Sequence, residues 1–126
     1  MRKVSIASFV CLSLALSTPG LAANSNHQIT QSPTHKVIKM SAERFAFSPS
    51  EITVEKGTVI EFHLTSEDTD HGFRIIGSDV DVQISKRRRG ETVVTYTADT
   101  AGRFIIECSR PCGAGHTAMR ATLIVK

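Results

Sequence analysis

The residues that could carry chemistry are concentrated in one short segment. Residues 108–119 read Cys-Ser-Arg-Pro-Cys-Gly-Ala-Gly-His-Thr-Ala-Met, which places two thiolates, one imidazole and one thioether within twelve residues. These groups belong to Cys108, Cys112, His116 and Met119. They are soft or borderline ligands of the kind that select copper. The segment therefore predicts a metal site, with copper as the favoured ion.

The preceding residues are expected to aim the first thiolate inward. If residues 103–108 form a strand, period-2 alternation turns Ile106 and Cys108 to the same face. A proline and two glycines follow within the segment. They favour a tight loop that folds Cys112 and His116 back beside Cys108.

Such a loop needs one more ligand from elsewhere in the chain. His71 is best placed, because it opens an apolar run directly after a polar turn, and Gly72 allows close backbone approach. His63 lies in an alternating strand pattern and is expected to face solvent. His27 and His35 belong to a polar stretch, where solvated side chains are the simpler interpretation.

The elements that must position these ligands are short strands. After residue 35 the sequence shows β-rich runs separated by turn residues, with no repeat and no long helical pattern. The eight candidate strands cover residues 36–40, 52–54, 59–64, 72–76, 80–84, 92–97, 103–108 and 121–125. Their spacing predicts a small antiparallel β-sandwich or barrel. The larger apolar side chains expected in its core are Met40, Phe45, Phe47, Phe62, Phe73 and Phe104.

The first residues are typical of a secretion signal. Arg2 and Lys3 precede an apolar stretch of thirteen residues, and a small-x-small cleavage pattern ends at Ala22. Such a stretch is shorter than the roughly 20 residues that a membrane-spanning helix needs. We therefore predict a cleaved signal, with an uncleaved membrane anchor as the alternative.

The chain then divides into three parts. These are a signal over residues 1–22, a flexible polar tether over residues 23–35 and one domain over residues 36–126. Cys11 would leave with the signal, so the mature chain would keep two cysteines. Export predicts an oxidising location, periplasmic or secreted, and a mature chain without a membrane span.

Composition excludes several broad classes. The chain has 126 residues, 40% of them hydrophobic and 21% charged, which suits one folded domain and not a disordered chain. The formal net charge is +3, but without Arg2 and Lys3 thirteen basic residues face twelve acidic ones. Bulk charge therefore argues for neither nucleic acid nor a membrane surface as a partner, and no nucleic acid is expected. The basic run Lys86–Arg89 is either a solvated hairpin tip or a docking patch for an acidic partner.

The stretch from Phe45 to Lys126 resembles the CuA domain of subunit II of haem-copper cytochrome oxidases, which has the cupredoxin fold. The likeness is carried by the pattern Cys-x3-Cys-x3-His-x2-Met together with an upstream histidine. It extends to the segments 47–54, 64–68 and 71–73. The resemblance implies an all-β Greek-key sandwich or barrel of about eight strands.

The resemblance also implies a metal centre and its role. Two copper ions would be bridged by the two thiolates. The implied ligands are the side chains of His71, Cys108, Cys112, His116 and Met119 and the main-chain carbonyl of Arg110. Such a centre suits electron transfer and not catalysis, so the chain would be a soluble carrier or the electron-entry component of a respiratory oxidase. The implied partners are a cytochrome or cupredoxin donor, an oxidase or reductase acceptor, and a copper donor with a thiol reductant for assembly.

Three features depart from that family. The oxidase subunit carries transmembrane helices ahead of this domain, whereas this chain shows only a signal-like segment. Pro111 follows the implied carbonyl ligand and restricts Arg110 to extended geometry. The sequence has no tryptophan, whereas many relatives accept electrons through a tryptophan-bearing surface, so the resemblance does not by itself imply cytochrome c as the partner.

Four alternatives stay open from the residues alone. Cys108 and Cys112 could form a structural disulfide, or they could join His71 and His116 in a tetrahedral zinc site. A single copper could be held in the blue-copper manner by His71, Cys112, His116 and Met119, with Cys108 a spectator. A copper chaperone or storage protein is the alternative function.

Overall fold

The computed structural model describes residues 32–87 and 89–126. The predicted signal over residues 1–22 and the tether up to residue 31 lie outside them. Nine strands occupy the described residues: β1 His35–Glu43, β2 Ala46–Ser48, β3 Glu51–Val54, β4 Thr58–Ser66, β5 His71–Ile75, β6 Asp81–Ile84, β7 Thr92–Ala98, β8 Gly102–Glu107 and β9 Arg120–Val125. A 3₁₀ turn spans His116–Ala118. His35, expected to end the tether, is the first residue of β1.

The strands form two sheets packed face to face. One sheet has four strands in the order β2-β1-β4-β7, and the other has five in the order β3-β9-β8-β5-β6. The predicted all-β sandwich is confirmed. Each of the eight predicted strands is present, with ends that differ by up to three residues. The ninth, β2, is only three residues long, too short for its sequence to show a period.

The expectation of an antiparallel fold is wrong for two strand pairs. β1 pairs with β4 in parallel, and β3 pairs with β9 in parallel. Short spacing between strands favoured hairpins, which are antiparallel. Here the chain crosses to the second sheet in β3 before it returns in β4, and this crossing lets β4 run parallel to β1.

The core lies between the two sheets and follows from alternation along the strands. In β4 the residues Ile60, Phe62 and Leu64 are fully buried, while Glu61 between them is exposed. Phe62 packs against Phe73 of the facing sheet with a centroid separation of 5.0 Å. Of the six apolar residues predicted for the core, four are buried, and the two half-buried ones, packed against the core, are Phe45 and Phe104.

The register of β5, β8 and β9 brings the metal-ligand candidates to one edge of the sandwich. β5 and β8 are antiparallel, with Arg74 opposite Glu107, so the start of β5 lies beside the residues that follow β8. β9 returns antiparallel to β8, with Arg120 opposite Glu107. In the described part of the chain no helix has the length and apolar character needed to cross a bilayer.

Candidate metal centre

Five potential side-chain ligands converge at this edge. The two sulfurs, Cys108 Sγ and Cys112 Sγ, lie 3.7 Å apart. His71 Nδ1 lies 3.9 Å from Cys108 Sγ, and His116 Nδ1 lies 3.7 Å from Cys112 Sγ. Met119 Sδ lies 3.9 Å from Cys112 Sγ. Every side chain predicted as a ligand is therefore brought to one place.

The carbonyl predicted as the sixth ligand lies there as well. Arg110 O is 3.2 Å from Cys108 Sγ, although Pro111 follows it. The same sulfur accepts a hydrogen bond from the backbone N–H of Gly72 at 3.3 Å. Cys108 is thus held on two sides by main-chain groups, which fix its orientation.

Both cysteines are free in this structure. Their sulfurs are 3.7 Å apart, whereas a disulfide bond measures about 2.05 Å. A structural disulfide is therefore not the state that the structure describes. The short separation nevertheless leaves both sulfurs able to contact the same ion.

Burial shapes the chemistry of the second thiol. Only 5% of Cys112 is exposed, and desolvation together with the hydrogen bond to Cys108 raises the pKa of this thiol to about 11. The thiol is consequently protonated at neutral pH. A metal cation is the group that would favour its ionised form in such a site.

His71 is fully buried and is held by a carboxylate. Its Nε2 donates to Asp68 Oδ1 at 2.7 Å, which leaves Nδ1 facing the cysteines. Desolvation would raise the pKa of Asp68, but hydrogen bonds from His71, Thr69 and Arg44 outweigh it and lower that pKa. The ionised carboxylate fixes the tautomer and the ring orientation of the histidine.

Gly72 allows the two ligand-bearing segments to touch. A Cβ atom at this position would lie 2.6 Å from the backbone nitrogens of Ser109 and Arg110, closer than carbon and nitrogen can approach. The absence of a side chain at residue 72 therefore lets His71 and Cys108 share one site. The close approach expected from the sequence is confirmed.

The 3₁₀ turn closes the ligand loop. The N–H of Met119 donates to His116 O at 3.2 Å, and the N–H of Cys108 donates to Met119 O at 3.1 Å. The second bond joins the two ends of the loop. Met119 is fully buried as a result, while His116 keeps part of its surface exposed.

Two neighbouring residues hold this loop, a role that the sequence did not indicate for either of them. Arg44 Nε donates to Cys112 O at 2.8 Å, and its backbone N–H donates to Asp68 Oδ2 at 3.1 Å. The ring of Phe45 lies over the loop, because a Cβ atom at Gly113 would be 2.9 Å from it. The contacts of Arg44 join residues 24 or 68 positions apart, and no local pattern signals them.

A cluster of polar side chains supports the segment after β8 from the outside. Asp81 Oδ1 accepts hydrogen bonds from Ser109 Oγ at 2.6 Å and from the guanidinium of Arg110 at 3.3 Å. An open cleft of about 220 Å³ beside this cluster is lined in part by Cys108 and His116. Solvent-borne molecules can therefore reach the edge of the site.

Of the histidines that the structure describes, His35 and His63 do not join the site. Both ring nitrogens of His63 are engaged by carboxylates, Nε2 with Glu61 at 2.5 Å and Nδ1 with Glu91 at 2.8 Å. His35 is exposed at the start of β1. His27 lies outside the described residues.

The donor set fits copper. Two thiols, two imidazoles, a thioether and a carbonyl oxygen combine soft and borderline ligands. A tetrahedral zinc ion could use His71, Cys108, Cys112 and His116, but it would leave Met119 without a role. The fully buried thioether, 3.9 Å from Cys112 Sγ, therefore favours the softer metal.

Sequence comparison finds oxidase subunits among the similar proteins. Cytochrome c oxidase subunit 2 of Thermus thermophilus is 35% identical over 95 residues, which are 75% of this chain and 68% of that protein. A second Thermus thermophilus sequence of the same name gives the same identity and is covered to 55% of its length. The chain thus spans between about half and two thirds of these relatives. No protein-family model matches the chain.

Comparison of structures identifies the fold. The periplasmic domain of subunit II of cytochrome oxidase (CoxB) of Bradyrhizobium japonicum has a TM-score of 0.63 at 19% identity, over 71% of this chain and 83% of that one. Auracyanin A, a "blue" copper protein of Chloroflexus aurantiacus, has a TM-score of 0.59 at 16% identity, over 73% and 99%. The predicted cupredoxin-like sandwich is confirmed.

One further structure shows such a domain with another protein. It is the mixed disulfide between thioredoxin-like TlpAs and subunit II of cytochrome c oxidase, CoxBPD. Its TM-score is 0.60 at 17% identity, over 79% of this chain and 87% of that one.

Proposed function

The chain belongs to the cytochrome c oxidase subunit 2 family, and from this premise we propose that it transfers electrons through a binuclear, CuA-type copper centre. It is a cupredoxin-like domain with a copper-type ligand set. Two copper ions per chain and the electron-transfer role are the proposal. The relatives named above are oxidase subunits and a copper protein, which supports a carrier role over catalysis.

The observation that carries this proposal is the pairing of ligands around two neighbouring sulfurs. Cys108 has His71 and Arg110 O beside it, at 3.9 and 3.2 Å. Cys112 has His116 and Met119 beside it, at 3.7 and 3.9 Å. Each sulfur thus has its own nitrogen and its own weaker donor. Two metal ions that shared both sulfurs would use all six groups as ligands. A single ion would leave some of the six groups uncoordinated.

The residues of this chain would hold the metal and limit its movement. Bound copper supplies one-electron redox chemistry. Asp68 fixes the ring of His71, and the backbone N–H of Gly72 fixes Cys108. The thioether of Met119 is fully buried, and each of the two cysteines is only 5% exposed. All three sulfur atoms are therefore largely shielded from water. A preformed set of ligands needs little rearrangement, which favours electron transfer.

The relatives also support a proposal on assembly and location. A related subunit forms a mixed disulfide with a thioredoxin-like protein, and another similar structure is a periplasmic domain. We propose that this chain also works in the periplasm after its signal is removed. A thiol reductant would keep Cys108 and Cys112 reduced before a copper donor loads them. The redox partner would be a cytochrome or cupredoxin on one side and an oxidase or reductase on the other.

Copper stoichiometry combined with electron paramagnetic resonance tests the proposal. Mature protein is reduced and loaded with copper, and Cys108→Ser serves as the matched control. We expect two coppers per chain, with one unpaired electron coupled equally to both nuclei, and loss of that signal in the variant. One copper coupled to a single nucleus would contradict the binuclear centre. Loss of copper to a competing chelator during redox cycling would favour copper delivery over electron transfer.

A further inference from the structure

A run of four basic residues follows β6, and its described members lie at the metal end of the domain. Residues 86–89 read Lys-Arg-Arg-Arg, and the structure describes Lys86, Arg87 and Arg89. Ile84, the last residue of β6, is the register partner of His71. The run begins two residues later, so it lies beside the histidine end of the metal site.

The segment of residues 86–89, the basic turn, is bonded at its start to the loop that directly precedes His71. The backbone N–H of Lys86 donates to Asp70 Oδ1 at 2.6 Å, and Asp70 immediately precedes His71. Within the turn the N–H of Arg89 donates to Lys86 O at 3.1 Å. The turn is therefore held at a defined place relative to the ligands.

The charges of the turn are not neutralised within the described part of the chain. Lys86, Arg87 and Arg89 are exposed, and none of the ion pairs among described residues includes them. By contrast, Arg74, Arg103 and Arg110 each pair with a carboxylate. The turn thus presents positive charge to solvent.

The charge of the whole domain is also uneven. Outside this turn, residues 36–126 carry nine basic and twelve acidic side chains. The four residues of the turn therefore change the net charge of residues 36–126 from negative to positive. This concentrates positive charge near the metal site. Such an asymmetry orients an oppositely charged partner during encounter.

We propose that the basic turn, Lys86–Arg89, docks an acidic surface of the redox partner and thereby brings that partner to the metal end of the domain. This inference rests on the proposed function and adds the chemistry of the partner. The contacts would be charge-assisted and exposed, so they govern the association rate and its salt dependence more than the affinity.

Binding of an acidic peptide to the metal-free reduced chain tests docking without copper. The probe is an oligoglutamate peptide, followed by chemical-shift changes of the backbone amides. The test variant replaces Lys86, Arg87, Arg88 and Arg89 by glutamine. The control replaces Lys36, Lys56, Arg103 and Lys126 by glutamine, which removes the same charge. Lys56 and Lys126 lie at the opposite end of the sandwich, joined by the bond from Lys56 N to Lys126 O.

We expect shift changes in residues 84–90 and in the loop before His71, and their loss in the turn variant alone. Equal weakening of peptide binding in both variants would show that binding responds only to net charge. That result would overturn the proposed docking site. Absence of binding to the unaltered chain would also overturn it. Because no copper is present, these outcomes are independent of the metal proposal.

Electron-transfer kinetics test the same surface in the loaded protein. The reduced chain gives one electron to hexacyanoferrate(III), an anion, or to tris(phenanthroline)cobalt(III), a cation. At low ionic strength the turn variant should react about tenfold more slowly with the anion and no more slowly with the cation. High salt should abolish the difference. A turn variant that matches the unaltered chain with the anion would contradict the proposal.

Discussion

The carboxylate of Asp68 accepts a hydrogen bond from His71 Nε2 at 2.7 Å, so the other ring nitrogen of this buried histidine faces the two cysteines. The sequence places the two residues three positions apart. The contact decides which nitrogen is available to a metal.

Asp68→Asn should weaken copper binding about 10- to 100-fold, because the amide supplies no charge to orient the ring of His71. A competition titration with a copper chelator measures this change. Asp99→Asn is the control, since Asp99 is exposed and its side chain bonds to Thr100 in a turn of its own. Equal affinities for the Asp68 variant and the unaltered chain would show that the carboxylate does not position the ring.

In the proposed binuclear centre both sulfurs would be shared by the two metal ions, so Cys108→Ser and Cys112→Ser should each abolish that centre. Met119→Leu should keep it and mainly shift its reduction potential, since leucine fills the buried space without offering a sulfur. Metal content and electron paramagnetic resonance of the three variants check these outcomes. An unchanged copper count and spectrum in Cys108→Ser would rule out the bridged arrangement.

Gly72→Ala should destabilise the domain by about 1–3 kcal/mol, because a Cβ atom would force apart the backbones that meet at this point. It should also distort the copper spectrum, since Ser109 and Arg110 follow Cys108 directly. The control is Gly77→Ala. That residue has a positive φ of 89° but no atom within 4 Å of its added Cβ, so it should lower stability and leave the spectrum unchanged.

Arg44→Ala should lower the stability of the metal-free domain by about 1 kcal/mol, because the carbonyl of Cys112 loses its donor. Amide hydrogen exchange should accelerate most in residues 112–116. Arg44→Lys keeps the positive charge but lacks the planar guanidinium. Comparison with Arg44→Ala therefore separates the effect of the charge from the effect of the hydrogen-bond geometry. Uniform acceleration across both sheets would instead indicate a general loss of stability.

The metal-free protein should show a pH dependence that comes from Cys112. Its pKa is raised from 9.0 to about 11, so the unfolded chain loses this proton first as the pH rises. Stability that is present below pH 9 should therefore decline as the pH approaches 11, when the folded thiol also ionises. Denaturant unfolding at several pH values measures this loss, and Cys112→Ser should remove it.

Alkylation by iodoacetamide checks the same group directly. The reaction of Cys112 should be slow at neutral pH and should accelerate up to about pH 11, because the thiolate is the reactive form. If Cys112 binds copper as proposed, binding releases its proton, so the apparent affinity should rise about tenfold per pH unit for that proton. A pH-independent affinity would show that Cys112 is not a ligand.

The strand positions, and the candidate ligands that the structure brings together, could be predicted because their signals are local. Alternation fixes which face of β4 and β8 turns inward, and the loop from Cys108 to Met119 carries four candidate ligands in sequence order. The parallel pairing of β1 with β4 could not be predicted, because it depends on the path of the chain between sheets. Arg44 was missed for a similar reason, since its partner Cys112 lies on a distant loop.

The position of β9 has a consequence for how the domain matures. β9 lies between β3 and β8, and its partner in parallel pairing is β3, which brings Glu51 beside Thr122. Pairing of strands so distant in sequence closes a long loop and slows folding. The bond from Cys108 N to Met119 O, directly ahead of β9, continues the antiparallel pairing of β8 with β9. We expect both thiols to be more accessible to oxidants until β9 has docked, so the relative rates of folding and of thiol oxidation would determine the fraction of molecules able to take up metal.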